Sequence, residues 1–118
     1  MPARILLVDD DRLLREVVGE FLAGHNFEVD LAESSEEAIS MFEKGKYQLA
    51  ILDLVMPGMN GLDLMIQLME TDPKLYCLIM TGYPTIDTAY KAMVEGVSDY
   101  IIKPFQLSEL LETVQKYI

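Results

Sequence analysis

Ile5-Leu6-Leu7-Val8-Asp9-Asp10-Asp11 sets an unbroken apolar run directly against three acids, and the same arrangement returns as Leu49-Ala50-Ile51-Leu52-Asp53. Continuous apolar runs of four to six residues suit a parallel strand covered on both faces better than a half-wet antiparallel one. Between the two runs the period changes. Leu13, Leu14, Val17, Val18, Phe21 and Leu22 recur at helical spacing, and Gly24 stands where a left-handed residue would end that helix. Phe27, Val29 and Leu31 alternate with Glu28 and Asp30, the pattern of an edge strand with one wetter face. Ser34 followed by Glu37 reads as a capping box for a helix that buries Ala38, Ile39 and Phe42 and runs to Gly45.

Beyond Asp53 the rhythm continues. Met56-Pro57-Gly58-Met59-Asn60-Gly61 can be neither strand nor helix and is a loop, followed by a helix over Leu62 to Glu70. Leu75 to Met80 is a fourth strand and Thr81-Gly82-Tyr83-Pro84 its loop, with a helix from Thr85 to Glu95 closed by Gly96. Tyr100 to Ile102 is the fifth strand, Lys103-Pro104 breaks it, and Leu107 to Tyr117 is the last helix. Five strand–helix repeats predict an α/β fold with a parallel sheet and helices on both faces. In such open sheets ligands bind outside the carboxyl ends of the strands, where strand order reverses.

The chain has 118 residues, and we expect residues 1–118 to form a single domain. It is 51% hydrophobic, enough for a substantial core. Its net charge of −11 leaves no broad basic surface and argues against direct nucleic-acid binding. The single cysteine, Cys77, lies among Leu75, Tyr76, Leu78 and Ile79, which predicts a buried thiol rather than a disulfide or metal site. No apolar run is long enough to span a bilayer and the start at Met1 to Arg4 has no signal-peptide pattern, so we expect a cytoplasmic protein.

The expected carboxyl ends carry Asp9-Asp10-Asp11, Asp53, Thr81 and Lys103. Two like charges about 4 Å apart repel by roughly 4 kcal/mol at an effective dielectric near 20, so such a group of acids calls for a cation. Oxygen ligands with no His or Cys select a hard ion, Mg²⁺ or Mn²⁺. A metal, a carboxylate, a lysine and a hydroxyl are the requirements of phosphoryl transfer, with Asp53 placed to be the nucleophile. A dinucleotide site is excluded, because acids stand where a glycine-rich loop would be needed.

These stretches, together with Leu52-Asp53-Leu54-Val55-Met56-Pro57-Gly58-Met59-Asn60-Gly61, Met80-Thr81-Gly82 and Tyr100-Ile101-Ile102-Lys103-Pro104-Phe105, resemble the receiver domain of response regulators over essentially the whole chain. The resemblance implies a doubly wound sheet of order 2-1-3-4-5 and a signalling domain that is not a turnover enzyme. It implies that Asp53 accepts a phosphoryl group from a sensor histidine kinase or phosphotransfer protein. Asp10, Asp53 and the Val55 carbonyl would ligate the metal, with Asp9 acting mainly through water or hydrogen bonds. Lys103 would pair with Asp53, Thr81 would reach the phosphoryl group, and Tyr100 would change rotamer in response. It also implies a cis Lys103-Pro104 peptide.

Several residues carry further expectations. Asp11 reads as a helix cap, His25 as a solvated loop residue at the opposite end, and Met65 and Met69 as core filler. Met56 and Met59 flank the site loop as candidate contact surface. Val55, Gly82 and Tyr83 would tune the lifetime of a phosphoryl group by shaping access to it. The readout face is expected on the fourth helix, fifth strand and fifth helix, where Tyr90, Tyr100, Phe105 and Leu107 would cluster and meet an attached output domain or a second copy. The loop sequences resemble receivers attached to enhancer-binding ATPase regulators, which points to transcriptional control. Two other readings are an aspartate-nucleophile phosphatase of the haloacid dehalogenase kind, which lacks its further acidic pair here, and a receiver used only as a scaffold.

Overall fold

A computed structural model describes residues 2–118, so Met1, where the reading of the amino-terminal start begins, lies outside the described residues. Five strands and five helices alternate: β1 Arg4–Val8, α1 Arg12–Ala23, β2 Glu28–Ala32, α2 Ser35–Met41, β3 Leu49–Asp53, α3 Gly61–Thr71, β4 Tyr76–Thr81, α4 Ile86–Val94, β5 Asp99–Ile102 and α5 Leu107–Tyr117. The strands form one parallel sheet of order β2-β1-β3-β4-β5. Its radius of gyration, 12.8 Å, matches the roughly 13 Å expected for a chain this long.

Register explains the two cores. Leu7, Ile51 and Leu78 lie side by side and point to the face covered by α1 and α5, where they pack with Val18, Leu22, Leu110 and Val114. Leu6, Ala50 and Cys77 point the other way and pack under α2 and α3 with Ala38, Leu64, Met65 and Leu68. Every residue of β3 is buried, as a central strand requires, whereas the edge strand β2 leaves Glu28 and Leu31 exposed. Cys77 is fully buried, and desolvation pushes its thiol up to about 12, so it stays a protonated core group.

Helix starts follow the sequence. Side chains of Asp11, Ser34, Asn60 and Thr85 accept from the first-turn amides of α1, α2, α3 and α4. Asp11 is thus the cap it was expected to be.

Helix ends depart from expectation in two places. Gly24 stays right-handed, with φ −67°, and the left-handed turn falls on Asn26 at φ 68°. Asparagine tolerates that region because its short amide can bond locally. The second helix stops at Met41 rather than Gly45, because Phe42 turns extended and stacks on Tyr47 at 5.8 Å between ring centres. Gly45, at φ 82°, then makes a turn whose amide is held by the buried Asp72 carboxylate at 2.9 Å.

Candidate functional site

β1 and β3 are adjacent, and both end in acid at the same edge of the sheet. One carboxylate oxygen from each of Asp9, Asp10 and Asp53 lies within 4.8 Å of the others. Asp9 is wholly buried, Asp53 is 5% exposed and Asp10 opens to solvent. The Lys103 ammonium, delivered by the turn after β5, bridges two of them, 2.8 Å from Asp9 and 3.3 Å from Asp53. Four of the expected residues therefore meet in one pocket.

Asp9 is also tied by its backbone. Its carboxylate accepts from the Asp11 amide at 2.9 Å, and its carbonyl accepts from Arg15 Nη1 at 2.7 Å. Arg15 was not singled out from the sequence, because only the first turn of α1 folding back over β1 brings it there.

One ammonium faces three carboxylates, and the imbalance falls on Asp53. Burial first, then the charge of Asp9, push its carboxyl up to about 6 despite the opposing Lys103. For Lys103, burial alone would lower the pKa, but the hydrogen bond to Asp9 and the charges of Asp9 and Asp53 outweigh it and hold the ammonium above its ordinary value. A hard divalent cation fits this donor set: all donors are oxygens, they are close enough to share one ion, and the exposed side at Asp10 leaves room for retained waters.

Thr81 ends β4, one position beyond the Asp53–Met80 register pair. It is fully buried, its carbonyl accepts from the Lys103 amide at 2.8 Å, and its hydroxyl accepts from the Tyr83 amide at 3.0 Å. Lys103-Pro104 is cis, as expected. Val55 is 54% exposed and Tyr83 75% exposed. Tyr83 and Gly82 line an open groove of about 680 Å³ with Leu13, Val17, Phe105 and Leu107. A methyl group on Gly82 would meet nothing nearer than Lys103 Cβ at 3.9 Å.

The expected aromatic cluster is not one cluster. Tyr100 packs on the α2–α3 side of the sheet and Tyr90 is 65% exposed on α4. Phe105 and Leu107 pack on the α1–α5 side, because the chain crosses the sheet edge after β5. Met56 is buried in the core rather than displayed, whereas Met59 is 37% exposed.

Two residues that hold the loop after Asp53 were not legible. A Cβ on Gly61 would lie 2.1 Å from the Asp53 carbonyl oxygen, so only glycine lets α3 begin this close to the acid-bearing strand. The buried Ser35 hydroxyl donates to the Met59 carbonyl at 2.8 Å and fastens the loop to the start of α2.

The geometry agrees with what the chain is similar to. The family profile described as "Response regulator receiver domain" matches residues 5–115. Response regulator protein FleR of Pseudomonas aeruginosa is 39% identical over 119 residues, which cover 99% of this chain and 25% of FleR. Response regulator MprA of Mycolicibacterium vanbaalenii is 36% identical over 111 residues, 94% of this chain and 48% of MprA. The chain thus spans between a quarter and a half of these two relatives. A CheY-like response regulator receiver domain protein from Methanospirillum hungatei superposes with a TM-score of 0.94 at 28% identity, over 98% of this chain and 93% of that one. A five-stranded sheet of this order, acids at the ends of β1 and β3, and a match over nearly the whole length together assign the chain to the response regulator receiver domain family of two-component signalling.

Proposed function

We propose that this chain is a single phosphoacceptor domain, with Asp53 as the residue that takes the phosphoryl group from a phosphohistidine on a sensor histidine kinase or phosphotransfer protein. A carboxylate oxygen of Asp53 attacks phosphorus, the bond from phosphorus to the donor imidazole nitrogen breaks, and the electron pair leaves with the imidazole. The observation that carries this reading is the Lys103 bridge to Asp9 and Asp53 inside a three-acid pocket. An ammonium already beside the nucleophile can follow the charge from carboxylate to phosphoryl oxygens without a large rearrangement.

Asp10, Asp53 and the Val55 carbonyl, supported by Asp9, would hold Mg²⁺ or Mn²⁺. When bound, the cation neutralises the carboxylates and the transferring phosphoryl oxygens. Thr81 would give up the Tyr83 amide and donate its hydroxyl to a phosphoryl oxygen. The apolar groove along α1, beside the pocket, offers the donor protein a docking wall. The readout passes to α4, β5 and α5 and on to an output domain or a second copy, with transcription as the regulated process. Val55, Gly82 and Tyr83 would border the approach to Asp53 and set how long the phosphoryl group survives.

The domain performs one self-directed transfer rather than turnover, and a cytoplasmic location follows from a cytoplasmic donor. Among the described residues no helix is long and apolar enough to cross a membrane. The test is to incubate the protein with acetyl phosphate and Mg²⁺ and weigh it intact. One added phosphoryl group, absent in Asp53→Asn, is the expected result. Turnover of the donor that depends on Asp9 as nucleophile would favour the phosphatase reading, and no adduct at any Mg²⁺ concentration would favour the scaffold.

A further inference from the structure

The hydroxyl of Tyr100 does not point to open solvent but meets Thr88 Oγ1 at 3.2 Å. Thr88 is the third residue of α4 and half of that helix's capping box. Its amide donates to Thr85 Oγ1 at 3.0 Å, its Oγ1 accepts from the Thr85 amide at 3.3 Å, and it donates to the Thr85 carbonyl at 3.1 Å. Its Oγ1 also lies 2.8 Å from Thr85 Oγ1, and either hydroxyl can be the donor in the contact between Thr88 and Tyr100.

Register places this contact next to the phosphoacceptor machinery. Tyr100 pairs with Ile79 in the sheet, and Ile79 and Thr81 share a face because strand side chains alternate. The Tyr100 ring therefore stands on the same side of the sheet as the Thr81 hydroxyl, one strand away. α4 has little else to hold it: Ala92 is its one buried residue, and Ile86, Tyr90, Met93 and Val94 are 90%, 65%, 73% and 64% exposed.

We infer that Thr88 is a positioning residue that latches Tyr100 in this half-buried rotamer and ties the first turn of α4 to β5 in the unphosphorylated state. The inference rests on the phosphoacceptor reading for its trigger: when Thr81 turns toward a phosphoryl group, Tyr100 follows and the phenol leaves Thr88. The capping box then loses a partner at the end of α4 nearest the site. The signal thus reaches the exposed apolar side of α4 through one hydroxyl contact.

Thr88→Val keeps the shape and removes the hydroxyl, Thr88→Ser keeps the hydroxyl, and Tyr100→Phe removes the other end of the contact. The first readout is the Tyr100 side-chain rotamer in the unphosphorylated chain, from three-bond NMR couplings. One rotamer is expected in the wild type and Thr88→Ser, and averaged couplings in Thr88→Val. The second is affinity for beryllofluoride with Mg²⁺. A neutral hydrogen bond present only in the resting state is worth about three- to tenfold, so Thr88→Val and Tyr100→Phe should each tighten binding by about that factor, and the double variant by no more than either alone. Gains that multiply in the double variant would show that Thr88 acts through the helix cap alone and would overturn the latch, as would a single fixed rotamer in Thr88→Val. Averaged couplings in Thr88→Val beside a wild type that binds no beryllofluoride would support the latch and overturn the phosphoacceptor reading instead.

Discussion

α3 and α4 both start from loops at the carboxyl edge of the sheet, one after Asp53 and the other after Thr81, yet they are built for opposite purposes. α3 buries Gly61, Leu64, Met65 and Leu68, begins in contact with the Asp53 backbone and is capped by Asn60. α4 buries Ala92 and is held at its first turn by threonine hydroxyls and Tyr100. Local stability follows buried apolar contact, so α3 acts as the fixed wall of the site and α4 as the element a small local change can move.

The largest expected effect is on the fixed helix. Leu64→Ala removes a fully buried side chain and should cost about 3 kcal/mol in a chemical denaturation midpoint analysis. A loss under about 1 kcal/mol would show that α3 is not a firm wall.

Next in size is the acid cluster. The Asp53 carboxyl sits near 6 in the fold against an ordinary value of 3.8. Below about pH 3 it is protonated in folded and unfolded chains alike and costs nothing. As pH rises from about 4 to about 6 the unfolded chain ionises this carboxyl while burial and Asp9 keep it protonated in the fold, so metal-free stability should fall across that window by about 2–3 kcal/mol and level off above it. Asp53→Asn should erase this loss and be more stable than the wild type at pH 7, with the gap closing near pH 3. Added Mg²⁺ should raise the wild-type melting temperature at pH 7, and less so in Asp10→Asn. A flat pH profile from 4 to 7 without metal would contradict the described cluster.

Gly61→Ala follows. The added carbon meets the Asp53 carbonyl oxygen, which is backbone and cannot swing aside, so a shift of α3 costing about 1–3 kcal/mol is expected. Phosphorylation of the variant by acetyl phosphate should slow more than its thermal stability alone explains, because the shift moves Asp53 itself. An unchanged rate would separate α3 from the site.

The smallest effect is on the movable helix. Val94 is 64% exposed, and Val94→Ala should change stability by no more than about 0.5 kcal/mol. A larger loss would mean that α4 is better anchored than its burial indicates.

The same contrast explains what was legible. Apolar runs ending in Asp9, Asp53 and Thr81 report their own burial and position, because a strand covered on both faces must be apolar throughout and must stop where charge begins. Asp11 and Ser34 declared themselves as caps by local spacing. Gly61, Ser35, Arg15 and Thr88 did not, since each acts on a residue brought near only by the assembled fold. Phe42 and Asn26 show the same limit on helix ends: a stacking contact with Tyr47 outweighed helix continuation toward Gly45, and the turn before β2 took asparagine rather than the nearby glycine.

The central claim is that a change made at Asp53 leaves through α4 while α3 stays fixed. Amide hydrogen exchange, measured with and without beryllofluoride and Mg²⁺, tests it most directly. Without the analogue, α4 amides should exchange faster than those of α3, and on binding the change should concentrate in Ile86–Val94 and β5 while Leu64, Met65 and Leu68 stay protected as before. Equal protection of the two helices at rest, or a response centred on α3, would contradict the account.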